Sequence, residues 1–243
     1  MDATQELFRD DATLRACQAR IVATTPEAVI LDCTVFYPQG GGQAGDAGEI
    51  ELADGLRLAV VDTRKGKDAQ AGAILHLVAP AQQALLAGLA LGAPVTARID
   101  AARRDAHRRF HTATHLLCAL VPHPVDGCSI TAGYARLDFH MTDLLDKDML
   151  TAGLTRLVAE ARPVTTRWIS DAELDANPQL VRSMSVQPPR GSGRVRLVEV
   201  AGVDLQPCGG THVANTAEIG AVVVTKIEKK SAQTRRVVLG LAG

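Results

Sequence analysis

The chain lacks a cysteine framework. Its five cysteines, at positions 17, 33, 118, 128 and 208, are odd in number and follow no repeated spacing, which excludes the disulfide-stapled secreted class and points to a reducing compartment. No apolar run reaches the ~18 residues of a transmembrane helix, and the first residues lack the charged-then-apolar pattern of an export signal. A cytoplasmic protein with no membrane partner is expected. Charge of one sign is missing as well: 26 Lys/Arg against 27 Asp/Glu leave a net charge of −1. The glycine-dense GGGQ at 40–43 lacks the Lys-Ser/Thr of a P-loop and the spacing of a dinucleotide fingerprint, so no ATP or dinucleotide loop is implied.

What is present centres on residues 103–120, RRDAHRRFHTATHLLCAL, and on PCGGTH at 207–212. His111 and His115 are four apart, and on a helix that spacing stacks two side chains on one face. Cys208 and His212 repeat the gap in a Pro/Gly-rich loop that can bend a thiolate and an imidazole toward a common point. Nitrogen and sulfur donors together favour zinc over hard, oxygen-seeking cations, one ion per chain. His111, His115 and Cys208 are the expected ligands, with His212 either a fourth ligand or a group beside them. Position 112 is Thr rather than Glu, so the general base of an H-E-x-x-H metalloprotease is absent.

At 243 residues and 47% hydrophobic, the chain is expected to form two domains, residues 1–95 and 96–243. Residues 1–97 hold 7 Lys/Arg against 12 Asp/Glu and the remainder 19 against 15, so the basic half carries the histidines. Arg98, Arg103, Arg104, Arg108 and Arg109 form one basic cluster, and Lys226, Lys229, Lys230, Arg235 and Arg236 another. Each reads either as a phosphate-contacting surface or as a solvated face. Short β-rich runs with frequent glycine turns between residues 27 and 99 predict a small barrel or twisted sheet. Asp100 is the expected N-cap of a helix from Ala101 to about Leu120, with Phe110, Ala113, Leu117 and Leu120 in its apolar stripe and His107 one turn before the metal pair. Strand patterns at 128–140, 163–169 and 193–241 and a helix within 143–162 make the second half α+β, with helices on a mostly antiparallel sheet.

Four stretches together, DCTVFYPQGGGQAGDAG at 32–48, RRFHTATHLL at 108–117, ARLDF at 135–139 and DLQPCGGTHVANTAEIG at 204–220, resemble the free-standing alanyl-tRNA editing proteins, homologues of the editing region of alanyl-tRNA synthetase. The resemblance implies a β-barrel-like domain bearing Gly-Gly-Gln. A zinc-containing α+β editing domain of the threonyl/alanyl synthetase second-additional-domain type follows it. The implied activity is hydrolysis of misacylated tRNA(Ala), chiefly the seryl ester, with the glycyl ester left open. The partner would be the acceptor end, and the protein a monomer or weak homodimer. Thr114 is the leading candidate to read the serine hydroxyl and, with His212, to take part in catalysis. Ser129 and Thr131 follow, the rival reading for all three hydroxyls being local backbone bonding. Arg108 and Arg109 would bind substrate through phosphate. Gly41, Gly42 and Gln43 either position the acceptor end, brace the domains or form a tight barrel turn. Two alternatives stand beside the deacylase: a tRNA-binding module with structural zinc, and a Gly-Gly-Gln-dependent peptidyl-tRNA hydrolase. The stretch PHPVDGCSI lacks the Gln that many synthetase editing domains carry there.

Overall fold

The computed structural model describes residues 3–181 and 193–242. They divide into two compact units, Met1–Gly40 with Ala44–Asp105, and Gly41–Gln43 with Ala106–Gly243. Among the described residues no helix is long and apolar enough to cross a membrane.

The first unit contains β1 (Gln5–Glu6), β2 (Ala16–Thr24), β3 (Ala28–Leu31), β4 (Cys33–Thr34), β5 (Gly48–Leu52), β6 (Arg57–Lys65), β7 (Ile74–Val78) and β8 (Pro94–Ile99). Six of these close a barrel in the order β2-β3-β7-β6-β5-β8, which removes exposed edges. Period-two alternation decides what points inward. In β6, Leu58 and Val60 are buried while Arg57, Ala59 and Val61 are exposed, and the core adds Ile21, Leu31, Phe36 and Ile50. The expected division at residue 95 falls inside β8, which pairs with both β2 and β5. The units part instead after Asp105.

Helix α1 (Ala101–Leu120) starts in this first unit. Asp100 Oδ1 accepts the Arg103 N–H at 3.0 Å, the N-cap bond that satisfies one otherwise orphaned donor of the first turn. Arg104 is fully buried. Its Nε lies 3.1 Å from Asp46 Oδ2 and its Nη2 donates to the Val35 carbonyl at 2.6 Å. Arg103 donates to the Gly45 carbonyl. These two members of the first basic cluster are therefore internal ties rather than a phosphate surface, because a buried guanidinium must have its donors satisfied.

The second unit holds the rest of α1, then β9 (Val125–Ile130), β10 (Ala135–His140), α2 (Lys147–Ala159), β11 (Val164–Ser170), α3 (Asp171–Asp175), β12 (Arg194–Val200), β13 (Asp204–Pro207), β14 (Val222–Ser231) and β15 (Thr234–Leu241). Two antiparallel sheets are present, β14-β15-β10-β9 and β11-β12-β13, where one had been expected. Phe110, Ala113 and Leu117 of α1 are buried with Leu154 of α2 and with Phe139 and Leu239 of the four-stranded sheet, while Leu120 is half-buried. Most of the second basic cluster is also paired. Buried Arg235 donates to the Thr142 carbonyl, Arg236 binds Asp138 at 2.7 Å, and Lys226 binds Glu228 at 2.8 Å.

One titratable group lies in the barrel interior. His76 is fully buried, with Nε2 2.8 Å from Thr34 Oγ1 and Nδ1 3.0 Å from the Val29 carbonyl. Burial outweighs the Val29 bond and lowers its pKa from 6.5 to about 4. An unfolded His76 takes up its proton near 6.5, so its contribution to stability is complete above that pH and is lost as pH falls toward 4. At about 1.36 kcal/mol per pKa unit, the loss is about 3 kcal/mol. Denaturant unfolding should weaken accordingly between these pH values, and His76→Gln should flatten that dependence. An unchanged acid profile in the variant would refute the assignment.

Candidate metal centre

Helix α1 sets the first half of the site. His111 and His115 lie one turn apart on the same face, with ring centroids 5.6 Å apart. The second half follows β13. The Cys208 N–H donates to the Arg196 carbonyl at 3.0 Å, which extends the β12–β13 ladder by one residue before the chain turns through Gly209 and Gly210. Two guanidinium groups hold that turn by its main chain. Arg196 donates to the carbonyls of Cys208 and Gly210 at 2.9 and 3.0 Å, and Arg108 donates through Nε to the carbonyl of His212 at 2.9 Å. The ligand atoms of His111, His115, Cys208 and His212 consequently lie within 4.8 Å of one another and can hold a metal ion. Cys208 Sγ is 3.4 Å from His111 Nε2 and 3.3 Å from His212 Nε2.

The outward nitrogens explain why the inward ones converge. His115 Nδ1 meets Asp204 Oδ2 at 2.8 Å, and Gln206 donates to the same carboxylate oxygen at 2.8 Å. His111 Nδ1 meets Gln43 Oε1 at 2.8 Å. That oxygen also accepts the Thr211 N–H at 3.1 Å, while Gln43 Nε2 donates to Thr211 Oγ1 at 3.0 Å. His212 Nδ1 meets Thr112 Oγ1 at 3.2 Å, and the Thr112 proton goes to the Arg108 carbonyl at 2.9 Å. Each network assigns the ring proton to Nδ1 and leaves Nε2 free to ligate, the usual support of a metal-binding imidazole. The donor set therefore fits a metal ion on chemistry as well as on distance.

Two glycines are required by this packing. A Cβ at Gly210 would lie 2.1 Å from His111 Cε1. Gly42 has φ +84°, and a Cβ there would lie 2.7 Å from Cys128 Sγ. Both approaches are closer than van der Waals contact allows, and the backbone at Gly42 is one that favours glycine.

Charge is tightly coupled among the ligands. Burial opposes ionisation of Cys208, but the neighbouring His111 and His212 outweigh it and hold the thiol well below its ordinary value of 9.0. For His212, burial comes first and the His111 charge adds to it, so its pKa falls well below 6.5. His115 differs because it faces a carboxylate. Burial is overcome there by Asp204 and Cys208, and its pKa rises to about 9.

The other expected site residues fall in several settings. Thr114 is buried and its proton is committed to the His111 carbonyl at 2.7 Å, leaving only lone pairs for a ligand. Thr131 closes the β9–β10 turn, donating to the Tyr134 carbonyl and accepting from the Gly133 and Tyr134 amides. Ser129 is half-buried on β9, opposite Arg136 of β10. Arg108 and Arg109 both brace the main chain: Arg109 Nε donates to the Ile219 carbonyl at 2.7 Å as Arg108 does to His212. His107 is buried and stands outside the four-ligand group. Gly41 and Gly42 shape the turn that delivers Gln43, and the Gln43 amide is fully buried on His111 and Thr211. It is thus not presented to a substrate as peptidyl-tRNA cleavage would require.

Sequence reasoning missed Thr112, Asp204, Gln206 and Thr211. A signal existed for two of them: Asp204, Gln206 and Cys208 alternate along one extended segment, and alternate residues share a face.

Residues 195–238 match the family described as threonyl and alanyl tRNA synthetase second additional domain, and residues 7–103 match tRNA synthetases class II (A). The chain is 32% identical over 246 residues to the alanyl-tRNA editing protein AlaX-M of Saccharolobus solfataricus, an alignment covering 96% of this chain and 97% of the relative. To the AlaX-M of Methanosarcina acetivorans it is 31% identical over 242 residues, with 96% and 97% covered. It is 33% identical to the alanine–tRNA ligase of Metallosphaera sedula over 235 residues, which span 93% of this chain and 25% of the ligase.

The outward partners set an expectation for metal affinity. Asp204→Asn and Gln43→Ala should each weaken divalent-metal binding, measured by chelator competition, by about ten- to hundredfold while the circular dichroism spectrum stays native. Wild-type affinity in both folded variants would show that these groups do not orient the imidazoles.

Proposed function

Because the chain belongs to the family of alanyl-tRNA editing proteins, we propose that it is a trans-editing hydrolase that deacylates misacylated tRNA(Ala), with the seryl ester as principal substrate and zinc as the metal. The observation that carries this reading is the buried convergence of three imidazoles and one thiolate, each ring fixed from behind. Three nitrogens and one sulfur at these positions suit a borderline ion, and zinc takes such a set in tetrahedral geometry. When bound, zinc supplies Lewis acidity toward the ester carbonyl.

The chain's own residues have separate tasks in this proposal. His111, His115 and Cys208 hold the ion, and Asp204 and Gln43 keep two of the rings in register with it. His212 has the weakest backing of the three rings, a hydroxyl rather than a carboxylate or amide, and is the one placed to stand beside the ion rather than on it. Its depressed pKa keeps it neutral near pH 7. With Nε2 left off the ion, a neutral imidazole at that point would accept a proton from the water that attacks the ester and return it to the departing 3′ oxygen. Water adds to the carbonyl carbon, the ester C–O bond breaks, and free serine and a 3′-terminal tRNA hydroxyl leave.

Selection against alanine needs a polar reader. A synthetase pocket for a small side chain rejects an added hydroxyl by only about 10²-fold, which makes a second, hydrolytic sieve necessary. Ser129 and the Thr114 lone pairs are the hydroxyl-bearing groups assigned to that reading. An alanyl ester would leave them unmatched, and sites that hydrogen-bond a substrate hydroxyl discriminate by about 10⁴ or more. A second reading, a tRNA-binding module with structural metal, draws on one observation: four protein donors complete a tetrahedral set by themselves.

Release of labelled serine from Ser-tRNA(Ala), with Ala-tRNA(Ala) as control, separates the two. Zinc-loaded wild type should release serine and spare alanine, and Cys208→Ala should lose bound zinc and lower release by more than about a hundredfold. A folded, zinc-loaded wild type that releases no serine would reject the deacylase and leave the binding module.

A further inference from the structure

Aromatic side chains are scarce, 3% of the sequence, and there is a single tryptophan. Phe8, Phe36, Phe110, Phe139 and Tyr37 are all buried, whereas Trp168 and Tyr134, the latter in the β9–β10 turn, are each 42% exposed. Trp168 lies on β11, an edge strand of the sheet β11-β12-β13.

Strand register places that indole relative to the metal centre. Trp168 pairs with Arg196 of β12, and the Arg196 carbonyl accepts the Cys208 N–H. Trp168, Arg196 and Cys208 therefore form one cross-strand row, and residues in such a row project from the same face. The neighbouring rows agree: Thr166, Val198 and Gln206 form one, Val164, Val200 and Asp204 another. Gln206 and Asp204 both reach His115. The opposite face is closed by Ile169, Val195 and Leu197 packed with Leu174 of α3. Trp168 thus stands on the face that carries the metal ligands, two strands from Cys208, or roughly 10 Å between Cα atoms at ~4.8 Å per strand. The Arg194 guanidinium lies over one face of the indole, 4.5 Å from the ring centre, so a base would stack on the opposite face with a positive charge one ring away.

We propose that Trp168, supported by Arg194, is the stacking platform for the unpaired 3′-terminal base of the tRNA acceptor end. This rests on the reading of the chain as an aminoacyl-tRNA deacylase. An indole accepts one base by stacking without needing its sequence edges, and a neighbouring cation favours the 5′-phosphate of that terminal nucleotide. A base held at one end of the row directs its ribose, and the ester on it, toward the ligands at the other end. Trp168 acts here as a positioning residue, so its removal should weaken substrate binding more than turnover.

The single tryptophan makes its own fluorescence the reporter. Titration of the zinc-loaded protein with an acceptor-stem hairpin ending in an intact unpaired 3′ terminus should quench that fluorescence, and a hairpin lacking the terminal adenosine should quench it less. In seryl release, Trp168→Ala should raise KM about ten- to hundredfold with a much smaller change in kcat. Trp168→Phe should recover most of the loss, and thermal melting should show both variants folded. Hydrolysis with an unchanged KM in folded Trp168→Ala, or equal quenching by the two hairpins, would overturn the platform while leaving the deacylase reading intact. Absence of hydrolysis in the zinc-loaded wild type would instead reject the deacylase reading itself.

Discussion

A buried imidazole that turns one nitrogen toward a common centre must give its other nitrogen a partner, and this site meets that condition three times over. Asp204 answers for His115, Gln43 for His111 and Thr112 for His212. The three partners come from a strand, a glycine turn and the helix itself, so local spacing alone cannot assemble the site. Orphaning any of them would leave a buried polar group unsatisfied, at a cost of about 1–3 kcal/mol.

The same partners divide the charge. A carboxylate behind His115 favours its protonated form, whereas an amide and a hydroxyl behind the other two rings supply no charge of their own. Cys208 sits among all three, and its interactions with His111 and His212 hold its thiol well below the ordinary value despite burial. Ligand protonation is therefore built into metal uptake: protons must leave the imidazoles as the ion binds. A metal ion at this point would offset the cost of burying such a cluster of donors.

Several arginines have internal roles. Arg108 and Arg196 anchor the metal-binding turn by its carbonyls, Arg109 ties the segment at Ile219, and Arg104 pairs with Asp46 inside the barrel unit. A planar group with five donors in a fixed fork can satisfy several separated carbonyls at once, whereas lysine's three donors all sit on one nitrogen. The basic stretch before the histidines, which in sequence reads either as a phosphate-contacting surface or as a solvated face, also braces the main chain through Arg104, Arg108 and Arg109.

Much was determined by the sequence itself. The grouping of His111, His115, Cys208 and His212, the bounds of helix α1, its N-cap at Asp100, most of the barrel strands after β2 and the α+β character of the second half are written in short-range pattern, because helix and strand periods and capping chemistry act over a few residues. The tertiary structure alone decided the rest. Gln43 reaches His111 from 68 residues away, Asp204 reaches His115 across 89, and β8 belongs to the barrel because it pairs with β2 and β5. Trp168 shares a face with Cys208 only through the register of three strands. These are long-range pairings, fixed by which backbones meet rather than by any local preference, so no window of sequence contains them.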